Sequence, residues 1–365
     1  MNNLDSRAIN FIAYAITPWH ANGIDAAIKR LEQEGISLLG DIIISGHKYT
    51  GRCISEENFL KHDLIDFIEI NDGDWQFGQS GNPIVELFER ICELKKNRKY
   101  KDYIYVLNAG RLNYKWLIYI HKNYKRGVKF VLLDDGTGGY NGFRGTQKYE
   151  VLKRSIYNLF KETLIRQNCF IDNRLFYFDK GRITVKRDIA YYYESVYKST
   201  DKQINEELLK KFESKIIINT QCLYDSKEIE GNQDIETFRQ LDKVLCFTGK
   251  KERVLVKPHP RELSLDRYSV FGWDFLKECK YTQEEIIAKV SKKPLCVIGL
   301  TSSSLVNLNA LFDIKTISLA KLFLKTDLPT GMKKDVEDFI SLYGDIVEMP
   351  ESEKDLIYII SKLED

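Results

Sequence analysis

Short runs of apolar, mostly β-branched residues recur along the chain, each ending in small or polar positions and followed by helical spacing. Phe11–Ile16, Asp41–Ser45, Tyr103–Leu107 and Lys129–Leu133 form a first series. Continuous apolar strands that alternate with helices read as parallel strands buried on both faces. Helices are predicted over 20–34, 83–97, 111–126 and 149–166, and in the first of them Ile24, Ala27, Ile28 and Leu31 share one face. A second series begins after about residue 205. Its strands are Lys215–Ile218, Arg253–Val256, Leu295–Ile298 and Thr316–Leu319, separated by helices at 233–246, 282–292 and 303–312. Two such series in one chain predict an α/β protein of two doubly wound, Rossmann-like domains with an interdomain cleft. The domains are drawn at 1–200 and 201–345, with a closing helix within 346–365 patterned from Ser352 to Leu363. Residues 195–207 are polar and read as a linker.

Composition adds exclusions. A chain of 365 residues corresponds to roughly two domains at about 150 residues each. With 43% hydrophobic and 30% charged residues it is not a disordered chain. Lys+Arg 55 against Asp+Glu 53 leaves a net charge of only +2, so no global field holds a nucleic acid and an anionic partner must meet a local patch. The seven cysteines include no Cys-x-x-Cys pair, which argues against a disulfide framework or a zinc knuckle and for a reducing compartment. Met1–Arg7 lacks the basic-then-apolar order of a signal peptide, and the apolar runs fall short of the roughly 18 residues needed to span a bilayer. The expected location is cytoplasmic, either soluble or peripheral on the inner face of the membrane. The pattern sets no oligomeric state.

In open parallel sheets, ligands sit beyond the carboxyl ends of the strands, and four such ends carry chemistry. Asp134-Asp135-Gly136-Thr137-Gly138-Gly139 places two carboxylates and three glycines where the backbone either turns sharply or approaches a ligand. One carboxylate there can act as general base toward a hydroxyl while the other caps the turn; the alternative is an ordinary Asp-Gly turn. Lys257-Pro258-His259-Pro260-Arg261-Glu262 sets a histidine between two prolines, which restrict its backbone on both sides and aim the imidazole. With an unperturbed pKa of about 6.5, such a group can serve a phosphate near neutrality. Thr301, Ser302, Ser303 and Ser304 lead into a helix, where free N–H groups and the helix dipole favour an anion, though a plain N-cap needs only one hydroxyl. Thr17-Pro18-Trp19-His20 follows the first strand. It either lines an acceptor subsite, with Trp19 stacking on a sugar face, or is only a helix start with Thr17 as N-cap.

Two other features carry less. Asp72-Gly73-Asp74 has the form of an Asp-x-Asp metal clamp but sits in a polar Asn/Gly loop and reads as a solvated turn. Gly136–Gly139 spell neither a dinucleotide fingerprint nor a Walker loop, which disfavours NAD and ATP.

Taken in order, an Asp-Asp-Gly closing the first half, a His-Pro in the second and a serine run after it resemble the bacterial GT-B sialyltransferases and polysialyltransferases of glycosyltransferase families 38, 52 and 80. Thr17-Pro18 matches as well, so the resemblance touches most of the chain. It implies a GT-B fold and an inverting transfer of sialic acid from CMP-sialic acid to a hydroxyl of a glycan acceptor, galactose- or sialic-acid-terminated, in capsule or lipooligosaccharide. Asp135 or Asp134 then corresponds to the catalytic base and His259 to the histidine facing the CMP phosphate. Lys257 and Pro260 fall beside the nucleotide, and Thr301, Ser302, Ser303 and Ser304 cover the phosphate-binding hydroxyls. Glu285 matches the glutamate that grips the ribose, with Glu284 open because the usual upstream proline is missing. Thr17, Trp19, His20 and Gly136 fall on the acceptor side. No cofactor and no metal are implied; the partners are the nucleotide-sugar donor and the glycan acceptor.

Between Arg144 and Lys202, basic residues interleave with tyrosines, including Arg182–Arg187 and Tyr191-Tyr192-Tyr193. They suit an anionic glycan chain or an acidic membrane surface, or else form a solvated helix face with an aromatic stripe packed inward. A CDP-glycerol or CDP-ribitol phosphotransferase and a CMP-Kdo transferase are the alternative enzymes. An inactive glycan- or nucleotide-binding module is the non-enzyme alternative.

Overall fold

The computed structural model describes residues 8–15, 17–45, 54–61, 65–70, 104–108, 128–134, 169–179, 182–200, 203–276, 279 and 281–364. The chain divides into two compact units. The first comprises Met1–Asp135, Gln147–Leu175 and Lys186–Asp201; the second comprises Gly136–Thr146, Phe176–Val185 and Lys202–Asp365.

Unit 1 is built on a parallel sheet of β1 (Ala8–Ala15), β2 (Ser37–Ser45), β3 (Ile65–Ile70), β4 (Ile104–Asn108), β5 (Val128–Leu132) and β6 (Cys169–Asp172), in the order β3-β2-β1-β4-β5-β6. Helix α1 (Pro18–Gln33) lays Ala21, Ile24, Ala27, Ile28 and Leu31 into a core shared with Phe11, Ala13, Ile42, Ile44 and Leu107. Gly40 on β2 pairs with Phe11 on β1, where a Cβ would come within 1.9 Å of the Phe11 carbonyl oxygen, so this close approach admits only glycine. Helix α2 (Arg187–Ser199) packs on α1.

Unit 2 holds a second parallel sheet, β9 (Ile216–Asn219), β10 (Val254–Lys257), β11 (Asp274–Phe275), β12 (Cys296–Gly299) and β13 (Thr316–Ser318), ordered β11-β10-β9-β12-β13. Its central strands are apolar and buried up to their last residues, Asn219 on β9 and the half-buried Lys257 on β10, as parallel strands covered on both faces must be. Its helices are α3 (Glu206–Phe212), α4 (Gln233–Phe247), α5 (Gln283–Ile287), α6 (Ser303–Phe312), α7 (Ala320–Phe323), α8 (Thr330–Tyr343) and α9 (Glu353–Ser361). An antiparallel hairpin of β7 (Phe176–Asp179) and β8 (Arg182–Val185) also belongs to this unit, and β8 packs on α8.

The eight predicted strands all fall on observed ones, and the predicted helix at 303–312 coincides with α6. The predicted helices at 83–97, 111–126 and 149–166 lie outside the described residues, as does Asp72-Gly73-Asp74. Two expectations are corrected. Ser195–Ser199, read as linker, is the last turn of α2. Its polar side chains dock the helix, with the Lys29 ammonium donating to the Ser195 carbonyl (3.3 Å), the Ser195 hydroxyl (3.0 Å) and the Ser199 hydroxyl (2.9 Å). The helix predicted at 282–292 stops at Ile287. The Lys289 and Val290 amides turn back to Ile286, and the Glu213 carboxylate draws off the Ser291 N–H at 3.1 Å.

Candidate active site

The order of each sheet fixes where ligands can enter. In unit 2 the chain steps from β9 outward to β10 and β11, then returns to the other side of β9 for β12. Strand order therefore reverses between β9 and β12, and the crevice beyond their carboxyl ends is the expected ligand site. Asn219-Thr220-Gln221 and Leu300–Ser304 occupy that edge.

His259 follows β10 on a loop tied down by hydrogen bonds. Its backbone N–H donates to Thr220 Oγ1 (3.2 Å) and, at longer range, to Glu262 Oε2 (3.4 Å). Its ring Nδ1 accepts the Arg261 N–H at 3.2 Å. A neutral imidazole that accepts at Nδ1 carries its proton on Nε2, so the loop selects one tautomer. Behind the loop, the Thr220 hydroxyl donates to Glu262 Oε2 and the Tyr268 hydroxyl to Glu262 Oε1 (2.7 Å). The Glu262 pKa is raised by burial, against hydrogen bonds from Thr220 and Tyr268 that lower it. Arg267 binds Asp234 with both terminal nitrogens (3.0 and 2.8 Å) and lies over the Tyr224 ring, 4.0 Å from its centroid. Asp225 fastens the far side of the loop by accepting from the Leu263 N–H (2.6 Å) and the Ser264 hydroxyl (2.6 Å). Pro260 and Arg261 are exposed.

The serine run is a helix start. Ser302 is the N-cap of α6, and its hydroxyl bonds that of Ser304 at 2.8 Å. Asn219 Nδ2 donates to Ser304 Oγ and to Gln283 Oε1, both at 2.7 Å. The Thr301 N–H donates to Gln221 Oε1 at 2.8 Å. Ser302, Ser304 and Thr301 are thus held by neighbours, whereas the Ser303 hydroxyl, at the first helical position, has no partner among the described residues.

Glu285 closes a capping box on α5: its N–H donates to Thr282 Oγ1 (3.2 Å) and its Oε2 accepts the Thr282 N–H (2.6 Å). Glu284 beside it is buried. Burial raises its pKa, with the charge of Lys257 at the end of β10 and a hydrogen bond from Asn307 acting in the opposite direction.

In unit 1 strand order reverses between β1 and β4, and the residues after β1 are Thr17–His20. Thr17 is the N-cap of α1, its hydroxyl accepting the His20 N–H at 3.3 Å, with Pro18 at the first helical position. Trp19 packs against Tyr193 of α2 with ring centroids 5.3 Å apart, and His20 is buried. Asp134, just past β5, is buried, and its Oδ2 accepts the Leu175 N–H at 2.9 Å. Burial and the Asp134 charge push the Tyr193 phenol well above its ordinary pKa; its hydroxyl lies near the Asp134 backbone without a hydrogen bond of good geometry. Asp135 and Gly136 lie outside the described residues.

Of the basic and aromatic stretch, Ile183 is buried in β8, Lys186 is paired with Asp172 at 2.8 Å and Tyr193 is buried, whereas Tyr191 is exposed. Tyr193 therefore packs inward and the Lys186 charge is paired inside the unit, while residues 144–168 of the stretch lie outside the described residues. Sequence reasoning missed Asn219, Thr220, Gln221, Gln283 and Tyr268, and gave Glu262 no role. Among the described residues, no group of three or more His, Cys, Asp or Glu is arranged to hold a metal ion, and no helix is long and apolar enough to cross a membrane.

The two reversing parallel sheets define an α/β protein of two Rossmann-like units, the GT-B class. A solved structure bears this out. The putative UDP-N-acetylglucosamine 2-epimerase from Listeria monocytogenes is 12% identical with a TM-score of 0.52, over 97% of this chain and 87% of that one. Acinetobacter baumannii MurG is more distant at 12% identity and a TM-score of 0.44, over 98% and 90%. No curated protein matches. The alpha-2,8-polysialyltransferase family matches over residues 11–321, and the chain belongs to that family. It is a glycosyltransferase, specifically a sialyltransferase, acting on a nucleotide-sugar donor and a glycan acceptor.

Proposed function

We propose that this enzyme moves sialic acid from CMP-sialic acid to a hydroxyl of a sialic-acid-terminated glycan, by a single inverting displacement and without a metal. The observation that carries the reading is the His259 loop, whose hydrogen bonds fix one imidazole tautomer at the carboxyl edge of the unit 2 sheet.

The bond from sialic acid C2 to the phosphate oxygen breaks, and its electron pair leaves on CMP. His259 Nε2 donates toward that phosphate, and the start of α6, with the Ser303 hydroxyl, adds preorganised donors. The acceptor oxygen forms the new bond to C2 and gives up its proton to Asp135 or Asp134. Lys257 and either Glu284 or Glu285 serve the nucleoside, with Glu285 bound first to its own helix cap. Thr17, Trp19 and His20 line the acceptor side. The family's name supports the α-2,8 linkage and the polymer product. Because histidine and helix dipole meet the phosphate charge, chelators are expected to leave the rate unchanged.

The test supplies CMP-sialic acid with oligosialic acid or a lactose-type acceptor in EDTA and follows CMP release. Turnover that oligosialic acid supports and His259→Ala abolishes is the expected result. A His259→Ala enzyme as fast as the parent would end the assignment.

A further inference from the structure

We propose that Thr220 and Glu262 are positioning residues that hold the His259 imidazole in its working orientation from behind the loop. The inference rests on the reading that His259 faces the donor phosphate.

Neither residue follows from a strand-end hydroxyl or carboxylate considered alone; their geometry distinguishes them. Thr220 lies just past β9 and Glu262 three residues past His259 on the neighbouring β10 side, yet they meet in a buried hydrogen bond. The Thr220 oxygen acts in both directions, accepting the His259 N–H and donating its proton to Glu262 Oε2. Glu262 gathers three donors: the Thr220 hydroxyl, the Tyr268 hydroxyl and, at 3.4 Å, the His259 N–H. The 3-10 helix that carries Tyr268 (Leu265–Phe271) is itself anchored, because Arg267 clamps Asp234 on α4. The backbone of His259 is therefore tied, through a threonine and a glutamate, to two neighbouring elements of unit 2. Asp225 holds the other end of the loop, at Leu263 and Ser264, while Pro260, Arg261 and Leu263 themselves are exposed. Proline on either side of His259 restricts the backbone dihedrals. The Thr220–Glu262 pair sets where that restricted loop sits relative to β9.

A side chain that positions another acts on the rate through geometry, and a displacement of about 1 Å can cost on the order of 10²-fold. Thr220→Val keeps the shape and removes both hydrogen bonds. Glu262→Gln keeps the length but leaves one acceptor oxygen for three donors. Each is expected to lower kcat by about 10- to 100-fold, with KM for CMP-sialic acid changing far less. Thr220→Ser, which restores the hydroxyl, returns most of the rate. The chain has five histidines, so the His259 ring signal is assigned in a proton–carbon NMR spectrum as the one missing from His259→Ala. That signal should move in Thr220→Val and Glu262→Gln and stay in Tyr358→Ala, an exposed control on α9. Folding is checked by thermal unfolding of each variant.

Outcomes separate the two claims. An unaffected His259→Ala rate overturns the phosphate role itself. A lost His259→Ala rate, beside Thr220→Val and Glu262→Gln enzymes with parental kcat and an unmoved His259 signal, overturns the positioning role alone. Loss in Thr220→Ser equal to that in Thr220→Val would likewise count against it, because the hydroxyl would then not be what matters.

Discussion

The strand ends of the two units treat their buried polar groups differently. In unit 2 the hydroxyls and carboxylates are wired to one another: Thr220 to Glu262, Tyr268 to Glu262, Asn219 to both Ser304 and Gln283. Where an amide there is incompletely bonded, as in Asn219 and Gln283, its other atom is engaged. In unit 1, Asn173 past β6 is fully buried with neither side-chain atom bonded among the described residues, and Trp19 Nε1 and Asn22 Nδ2 are also without partners. Unmade hydrogen bonds of this kind cost about 1–3 kcal/mol each. A pocket for a charged group that is the same at every turnover can be organised beforehand.

The sharpest break between the halves is chemical. His259→Ala and Asp135→Asn should each cost about 10²–10⁴ in turnover, read from CMP release, because each removes a group to which the proposed mechanism gives a proton to donate or accept. Running Asp134→Asn in parallel decides which carboxylate is the base. The contact Asp134 makes to the Leu175 N–H predicts that this variant also loses thermal stability.

Asn219→Ala comes next. It releases Ser304 and Gln283 together, and with about 1 kcal/mol for each of the two lost bonds the donor KM should rise by about 30-fold while acceptor KM holds. A rise in acceptor KM instead would assign the serine helix to the other substrate.

Tyr193→Phe probes the opposite regime. Its hydroxyl is buried without a well-formed bond, so its removal should leave the melting temperature unchanged or higher, whereas Thr220→Val lowers it. A clear drop for Tyr193→Phe would mean that the phenol has a partner and erase the contrast. The smallest effect belongs to Glu284. Its folded pKa is raised above 4.5, so the folded state holds the proton more tightly than the unfolded chain. Stability should be fullest below that value and fall as pH rises through the folded pKa. Glu284→Gln should remove this decline in a series of unfolding curves across pH.

Much of the architecture was legible because parallel strands advertise themselves. Ile216–Ile218 and Val254–Val256 admit no other reading once buried on both faces. Edge elements were not legible. β3 carries Asp66 and Glu69 among its apolar residues, and the β7–β8 hairpin is too short and mixed to stand out from its charged surroundings. The His-Pro and serine positions were visible because they directly follow apolar runs. Asn219-Thr220-Gln221 follow Ile218 in the same way, and they support both. Glu262 was hidden for a different reason. Its role depends on Tyr268 and Thr220, six and 42 residues away, and no local spacing encodes that meeting.

The hairpin Phe176–Val185 has a practical consequence for anyone who wishes to cut the gene in two. It counts with unit 2, whereas Leu175 before it and Lys186 after it count with unit 1. A plasmid encoding only Lys202–Asp365 would strip α8 of the strand it packs on, and one ending at Asp201 would display that ribbon with nothing to cover it. Separately expressed halves are therefore expected to be poorly soluble, and a split version should relocate the ribbon by circular permutation before being judged.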